Sequence, residues 1–231
     1  MTDAAPRRSR RPLLTREAIL DAGARVLQRD GYGGLTMRAI ADELQIQAPS
    51  LYWYVSSKDE LEVALYDHLM GGLRFELNGT DWREDLRRVA QQMRCYMRDR
   101  RDVALLLPHD YSVGPHALRH LELGLTILRR AGLAPRDAAY AVNMLFNYIV
   151  HWASGESRQR HRREAASAAP PTTIAESVSL AALSTDDYPN IVALADLLLA
   201  NDADGTFEFG LDCIIDGLER RAAASSASTH R

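Results

Sequence analysis

Three adjacent aromatic residues, Tyr52, Trp53 and Tyr54, fall in a short predicted helix and suggest binding chemistry. A helix with about 3.6 residues per turn cannot direct all three into one core, so at least one must face solvent. Exposed aromatic side chains on a small helix usually contact a partner. Arg38 and Lys58 each stand near the start of a neighbouring helix, where phosphate is attracted. The pattern predicts a helix-turn-helix whose second helix lies in the DNA major groove, which distinguishes all base pairs.

Caps and apolar spacing predict the elements that position these residues. A first helix spans residues 15–30, with Thr15 as its N-cap and glycines at its end. Thr36 caps the second helix. Ser57 followed three residues later by Glu60 is a capping box that starts a longer helix. The alternative is a generic helical hairpin inside a bundle.

The rest of the chain also reads as helical, so the predicted fold class is all-α. A small N-terminal domain is followed by a C-terminal helical bundle. Helices are predicted over 82–101, 103–107, 115–131, 135–154, 188–200 and 207–221. Residues 155–173 are rich in Arg, Ala, Ser and Pro, which predicts a mobile loop with a solvated charge run.

Composition limits the classes of function. The 231 residues carry a net charge of -3, and no apolar run reaches the ~18 residues of a membrane span. The N-terminus is rich in Arg and Pro with no apolar stretch behind it, so we do not expect a secretory signal. Two distant cysteines form no motif, and we expect a cytoplasmic protein without membrane contact. Residues 1–16 are Arg-rich and predict an arm that neutralises phosphates, or a solubilising tail. Without a nucleophile–base pair, phosphate loop or metal cluster, we predict no enzyme, metal or cofactor.

The segment GYGGLTMRAIADELQIQAPSLYWYVSSKDEL resembles the DNA-binding domain of the TetR family of transcriptional repressors. Similarity to the tetracycline-repressor branch continues through WREDLRRVAQQMRCYMRDRRDVA, GLTILRRAGLAPRDAAYAV and FEFGLDCIIDGLERR. The resemblance implies a homodimer that binds a palindromic operator in double-stranded DNA and releases it when a small-molecule inducer binds. The domains implied are a disordered basic arm (1–14), a helix-turn-helix domain (15–60), a ligand-binding and dimerisation domain (61–221) and a disordered tail (222–231).

The family's DNA contacts can be carried over to matching positions of this sequence. They are Thr36, Arg38, Gln47, Ala48, Pro49, Ser50, Tyr52, Trp53, Tyr54 and Lys58. Tyr52 and Lys58 are expected to hold phosphates, and Arg38 and Gln47 to read bases. Ala48 stands where tetracycline repressors have Gln. A methyl group can touch a thymine methyl but cannot hydrogen-bond adenine, so the operator sequence should differ.

The resemblance is weakest at the ligand site. Tetracycline repressors hold the drug and its magnesium with His, Asn, Phe, a metal-binding His and Gln. These positions align with Arg74, Val89, Met93, Leu107 and Gly124. Because all five differ and Leu107 cannot bind a metal, we predict that Mg-tetracycline is not recognised. A one-residue shift of the alignment would instead bring His109 to the metal position.

A mostly apolar cavity for a polycyclic or aromatic metabolite is the alternative prediction. Its expected lining is Arg74, Val89, Met93, Tyr96, Met97, Leu106, Leu107, His109, Tyr111, Tyr140, Asn143, Met144 and Asn147. Most of these residues could equally be ordinary core. Asn143 and Asn147 lie one turn apart on an apolar helix, so as buried amides they need partners, in the cavity or across the dimer.

Helices 135–154 and 204–221 are the most apolar late helices, and pairing each with its copy predicts a four-helix dimer interface. The leading hypothesis is therefore a ligand-responsive repressor. A constitutive DNA-binding regulator without a small-molecule ligand is the alternative.

Overall fold

A computed structural model of the chain describes residues 14–107, 114–166, 183–200 and 202–229. Every regular element in these ranges is helical, which confirms the all-α class. The α-helices are α1 Arg16–Gly34, α2 Met37–Glu43, α3 Lys58–Met70, α4 Trp82–Arg98, α5 Pro115–Arg130, α6 Pro135–Ala166, α7 Pro189–Ala193, α8 Ala195–Leu199 and α9 Ala203–Thr229. Two 3₁₀ helices span Ala48–Trp53 and Val103–Leu105. None of the described helices is long and apolar enough to cross a membrane.

The described residues form two compact units. The first comprises residues up to Gly72 together with residues 101–116, and the second comprises 73–100 and the chain from Ala117 onward. Most of the predicted basic arm (1–13) and two predicted ligand contacts, His109 and Tyr111, lie outside the described residues. Helix α9 continues to Thr229, through most of the range predicted to be a tail.

Local hydrogen bonds start the helices of the first unit. The side-chain oxygens of Thr15, Thr36 and Ser57 each accept the backbone N–H three residues ahead, at 3.0–3.1 Å, so all three predicted caps are confirmed. The second half of the predicted capping box is different. The Glu60 carboxylate accepts the backbone N–H and the hydroxyl of Ser56, both at 2.7 Å, rather than the N–H of Ser57.

Helix α1 kinks at Gly31, the first of the glycines predicted to end it. Gly31 has φ 73° and ψ -178°, a conformation that a side chain would strain. Asp102 replaces the lost helical bonding, because its Oδ2 accepts the Tyr32 N–H at 2.8 Å. Asp102 is itself fully buried, and its backbone adopts the left-handed conformation with φ 58°.

The helix that carries the three aromatic residues is a 3₁₀ helix rather than an α-helix. Its hydrogen bonds span three residues, for example from Ser50 N–H to the Gln47 carbonyl at 2.9 Å. Gln45 makes the preceding turn with φ 55°. Leu51 and Val55 are fully buried and fix the helix to the core of the first unit.

The core of the second unit lies between α4, α6 and α9. Helix α4 contributes Leu86, Met93 and Met97, and α9 contributes Phe207 and Leu211. The corresponding residues of α6 are Ala138, Ala141, Leu145, Ile149 and Ala153. Their spacings of three, four or seven residues keep them on one side of each helix.

Polar pairs connect α4 to α9 along their lengths, and we call them the α4–α9 polar network. The pairs are Arg83–Glu219, Arg87–Asp212 (2.5 Å), Gln91–Glu208 (3.0 Å) and Arg94–Asp204 (2.8 Å). Arg94 is buried, and it also binds Glu156 of α6 with its Nε at 3.0 Å. Its guanidinium lies 4.3 Å from the centre of the Phe207 ring.

The prediction of a loop over residues 155–173 is wrong for residues 155–166, which continue helix α6. Contacts distant in sequence hold this extension. Ser157 is buried, and Arg160 donates to the Arg98 carbonyl at 2.6 Å. The helix predicted over 188–200 is interrupted at Leu194, whose φ of -110° and ψ of 11° separate α7 from α8.

Candidate nucleic-acid interface

The short 3₁₀ helix presents its aromatic residues to solvent. Trp53 is 89% exposed, and Tyr52 and Tyr54 are exposed as well, while Leu51 and Val55 are buried. Two buried anchors therefore hold a helix whose largest side chains remain outside the core. These neighbouring exposed aromatic side chains make the helix a candidate interaction site.

Arg38 extends from the first turn of α2 into solvent, with 90% of its side chain exposed. Its neighbour Asp42 is 4.0 Å away, an exposed i,i+4 pair that contributes little to stability. The planar guanidinium can therefore bind a phosphate or a guanine edge. Thr36 uses its hydroxyl oxygen to cap α2, which leaves the hydroxyl hydrogen to donate to an external acceptor.

The other residues of the predicted contact set lie between α2 and α3. Gln47 and Pro49 are exposed, and Ala48 and Ser50 are half-buried. All ten predicted DNA contacts thus lie in the first unit, on α2, the 3₁₀ helix, its flanking residues and the start of α3.

Tyr54 has a partner that the sequence did not indicate. Its hydroxyl donates to the backbone carbonyl of Leu14 at 2.8 Å. This bond fixes the chain just before α1, where the Arg-rich segment ends. The Tyr54 hydroxyl is therefore engaged within the unit, while part of its ring remains exposed.

Lys58 is the first residue of α3, and its ammonium has defined neighbours. Its Nζ lies 3.3 Å from Glu62 Oε1 and 5.2 Å from the centre of the Tyr32 ring. The Tyr32 hydroxyl donates to the other Glu62 oxygen at 3.3 Å. About half of the Lys58 side chain, 47%, remains exposed.

Glu60 holds the start of α3 in place. It accepts from Ser56 and pairs with Arg16 at 3.1 Å. The hydrogen bonds from Ser56, followed by the charge of Arg16, lower the pKa of the Glu60 carboxyl. The carboxylate is therefore ionised at neutral pH, at the helix end where an anion is favoured.

Sequence reasoning missed Tyr32, Glu62 and Asp102. The i,i+4 spacing of Lys58 and Glu62 was an available signal for one pair. No local pattern connects Tyr32 with Asp102, which is 70 positions away in sequence.

The predicted ligand contacts fall into two groups. On α4, Val89, Met93 and Met97 are buried, and Tyr96 is half-buried. Leu106 is buried, Leu107 half-buried and Arg74 exposed. Burial raises the pKa of the Tyr96 phenol, against the opposing charges of Arg100 and Arg74.

The α6 group is placed differently. Tyr140, Asn143, Met144 and Asn147 are exposed in the single chain. The expectation that the two amides are buried is wrong for the single chain, because the buried side of α6 carries Ala138, Ala141 and Leu145 instead. Within the described ranges, no group of three His, Cys, Asp or Glu residues could hold a metal ion.

Two protein-family models match the chain. Residues 19–65 match the family model described as bacterial regulatory proteins, tetR family. Residues 76–222 match the model of the tetracyclin repressor-like C-terminal domain. The chain belongs to the TetR family. As a TetR-family protein it is a transcriptional regulator with a helix-turn-helix domain, which confirms the family predicted from its sequence.

Relatives within the TetR family are regulators as well, which confirms that the chain is not an enzyme. An HTH-type transcriptional regulator of Saccharopolyspora erythraea is 36% identical over 156 residues, 67% of this chain and 66% of that protein. This chain thus spans just under two thirds of that relative's length. The HTH-type transcriptional repressor DrrR1 of Streptomyces coeruleorubidus is 28% identical over 222 residues, 94% of this chain and 82% of that protein.

A solved TetR-family structure has the same fold. The Streptomyces coelicolor protein ActR, in complex with actinorhodin, superposes with a TM-score of 0.78 at 28% identity. The match covers 90% of this chain and 96% of that chain. The similarity therefore includes both the DNA-binding and the C-terminal regions.

Proposed function

We propose that this TetR-family repressor binds a palindromic operator as a homodimer and is released by a small organic inducer other than Mg-tetracycline. The observation that carries the proposal is that Trp53 on the 3₁₀ helix and Arg38 in the first turn of α2 are both almost fully exposed in the first unit. Arg38 and Gln47 read base edges, and Thr36, Tyr52 and Lys58 bind phosphates. Ala48, Pro49, Ser50, Trp53 and the Tyr54 ring pack against the groove.

The homodimer is supported by apolar side chains that the single chain leaves exposed. Phe209 on α9 is 72% exposed, and Tyr140 and Met144 of α6 are exposed too. An isologous interface would bury these side chains against their copies. Two recognition units separated by ~34–36 Å then meet successive major grooves.

An organic inducer is supported by the apolar side chains of α4. Met93 and Met97 are adaptable side chains suited to polycyclic or aromatic surfaces. Tyr96 adds an aromatic ring with the Arg100 guanidinium 3.3 Å from its centre. The structural neighbour ActR was solved in complex with actinorhodin, so a protein of similar fold binds an organic molecule.

Discrimination against Mg-tetracycline is supported at Gly124, where tetracycline repressors have Gln. A Cβ at this position would lie 3.0 Å from Val142 Cγ2, a tight contact even for a methyl group. Val89 and Met93 are apolar side chains at two positions where tetracycline repressors bind the drug. Isothermal titration of the protein with tetracycline and MgCl₂ should give no heat of binding. Micromolar binding would refute this part of the proposal.

DNA binding is tested by footprinting the purified protein on the DNA upstream of its own gene. We expect one protected palindrome and a stoichiometry of two chains per site. Trp53→Ala should weaken binding about tenfold or more, as loss of an aromatic hot spot does. Tyr188→Ala removes an exposed aromatic of the second unit and serves as the matched control.

Inducer response is tested on the same DNA with extracts of aromatic metabolites. Release by a fraction supports the ligand-responsive repressor. Binding that no fraction affects would favour the alternative of a constitutive regulator. Absence of any specific protection would refute operator binding altogether.

A further inference from the structure

The Lys58 ammonium occupies a built site rather than a free position at the surface. On one side its Nζ forms an ion pair with Glu62, whose Oε1 lies 3.3 Å away. On another side, Nζ lies over the face of the Tyr32 ring, 5.2 Å from the ring centre. The remaining side is open to solvent at the first turn of α3.

Tyr32 is held at both ends by residues distant in sequence. Its backbone N–H donates to Asp102 Oδ2 at 2.8 Å, and its hydroxyl donates to Glu62 Oε2 at 3.3 Å. Burial, followed by the Glu62 charge, raises the pKa of the Tyr32 phenol, which keeps it protonated and able to donate. The fully buried Asp102 thus fixes the backbone from which the ring extends.

We propose that Tyr32 is a positioning residue that, with Glu62, holds the Lys58 ammonium in place for an operator phosphate. This assignment rests on the proposed binding of DNA by the first unit. A free lysine loses rotamer entropy when it binds, whereas one already held between a ring and a carboxylate loses less. Tyr32 therefore increases operator affinity without touching DNA.

A purely structural role for Tyr32 predicts a different pattern of losses. If the ring only filled the core, its removal would weaken binding whether or not Lys58 carried a charge. If it acts through Lys58, its removal matters only while the ammonium is present. A double-mutant cycle separates these cases.

The experiment measures operator affinity by fluorescence anisotropy over a series of NaCl concentrations. The variants are Tyr32→Leu, Tyr32→Phe, Lys58→Gln and the Tyr32→Leu/Lys58→Gln double variant. Tyr32→Leu should weaken binding about fivefold, and Tyr32→Phe, which keeps the ring face, less than twofold. Lys58→Gln should reduce the slope of log affinity against log salt by about 0.9, the value for one phosphate contact. In the Lys58→Gln background, Tyr32→Leu should cause no further loss.

Equal losses from Tyr32→Leu in both backgrounds would overturn the assignment, and so would unchanged affinity in the single variant. Circular dichroism at the assay temperature verifies that each variant is folded. If Tyr32→Leu is unfolded, Tyr32→Met takes its place in the cycle, with the same expected result. Failure of the unaltered protein to bind its operator would refute the proposed function itself, an outcome distinct from additive losses.

Discussion

Two arginines, one in each unit, are in opposite situations. Arg38 in the first unit is almost fully exposed, and its acidic neighbour is 4.0 Å away in solvent. Arg94 in the second unit is buried, pairs with Glu156 and Asp204, and packs on Phe207. The same type of side chain is therefore available to an external anion in one region and pairs with internal groups in the other. Changes in the first unit should affect DNA binding with little loss of stability, and changes in the second should do the reverse.

The largest expected effect follows from breaking the internal pairing. Arg94→Ala removes the cation that pairs with the Glu156 carboxylate, whose side chain is largely buried. Because a buried charge is then left unpaired, we expect the unfolding free energy to fall by about 3–5 kcal/mol. Urea denaturation measures it. Arg83→Ala removes a more exposed member of the α4–α9 polar network and should cost no more than about 1 kcal/mol. Similar losses from both would contradict the role assigned to burial.

Gly31→Ala is a change in the first unit that should affect stability, because Gly31 lies against the buried Asp102 side chain. The added Cβ would lie 2.9 Å from Asp102 Oδ2 at a φ of 73°. We expect a destabilisation of roughly 1–3 kcal/mol, since an unfavourable backbone conformation is forced on a non-glycine residue. Gly33→Ala, with open space around the new methyl, is the matched control. A thermal melt that distinguishes neither variant from the parent would disprove the strain at Gly31.

Arg38→Ala sharpens the comparison from the DNA side. Loss of a base-reading arginine should weaken operator binding by about 1–3 kcal/mol and relax selection at one base pair. The melting temperature should not change. Arg158→Ala, an exposed arginine of α6, controls for net charge. An Arg38→Ala protein that keeps full affinity and sequence preference would remove Arg38 from the interface.

The smallest effect concerns acid sensitivity in the second unit. Burial would raise the pKa of Asp85, but hydrogen bonds from Gly79, Arg130 and Asn78 outweigh it and lower the pKa below its ordinary 3.8. A carboxyl with a lowered pKa stabilises the fold above pH 3.8, and this contribution disappears as pH falls through the folded pKa. Asp85→Asn should therefore lose less stability than the parent between pH 5 and pH 3. Urea denaturation at several pH values measures the unfolding free energy of both proteins. If this free energy falls equally in both between pH 5 and pH 3, the effect is excluded.

Local signals in the sequence were sufficient for much of the first unit. The caps at Thr15, Thr36 and Ser57 and the break at Gly31 depend on residues within one helical turn, so a one-dimensional pattern contains them. The short helix that carries the aromatic residues was located correctly, but its 3₁₀ hydrogen bonding was not predicted.

The second unit was harder to predict because distant contacts determine its elements. Residues 155–166 have a loop-like composition, yet Glu156 and Arg160 bond to α4 and extend α6. The exposure of Asn143 and Asn147 was missed because α6 is apolar on more than one side, and periodicity alone does not say which side faces the core. Neither composition nor periodicity indicates the hydrogen bond between Tyr32 and Asp102.

The first unit is discontinuous along the chain, and this affects how the polypeptide matures. Val103, Ala104 and Leu106 belong to it and are buried, although they follow the whole of α4. During synthesis the N-terminal region cannot complete its packing until α4 has left the ribosome. A fragment ending at Gly72 would lack the Asp102 carboxylate and these apolar residues, so transplanting the DNA-reading region into a chimera requires residues 101–107 as well.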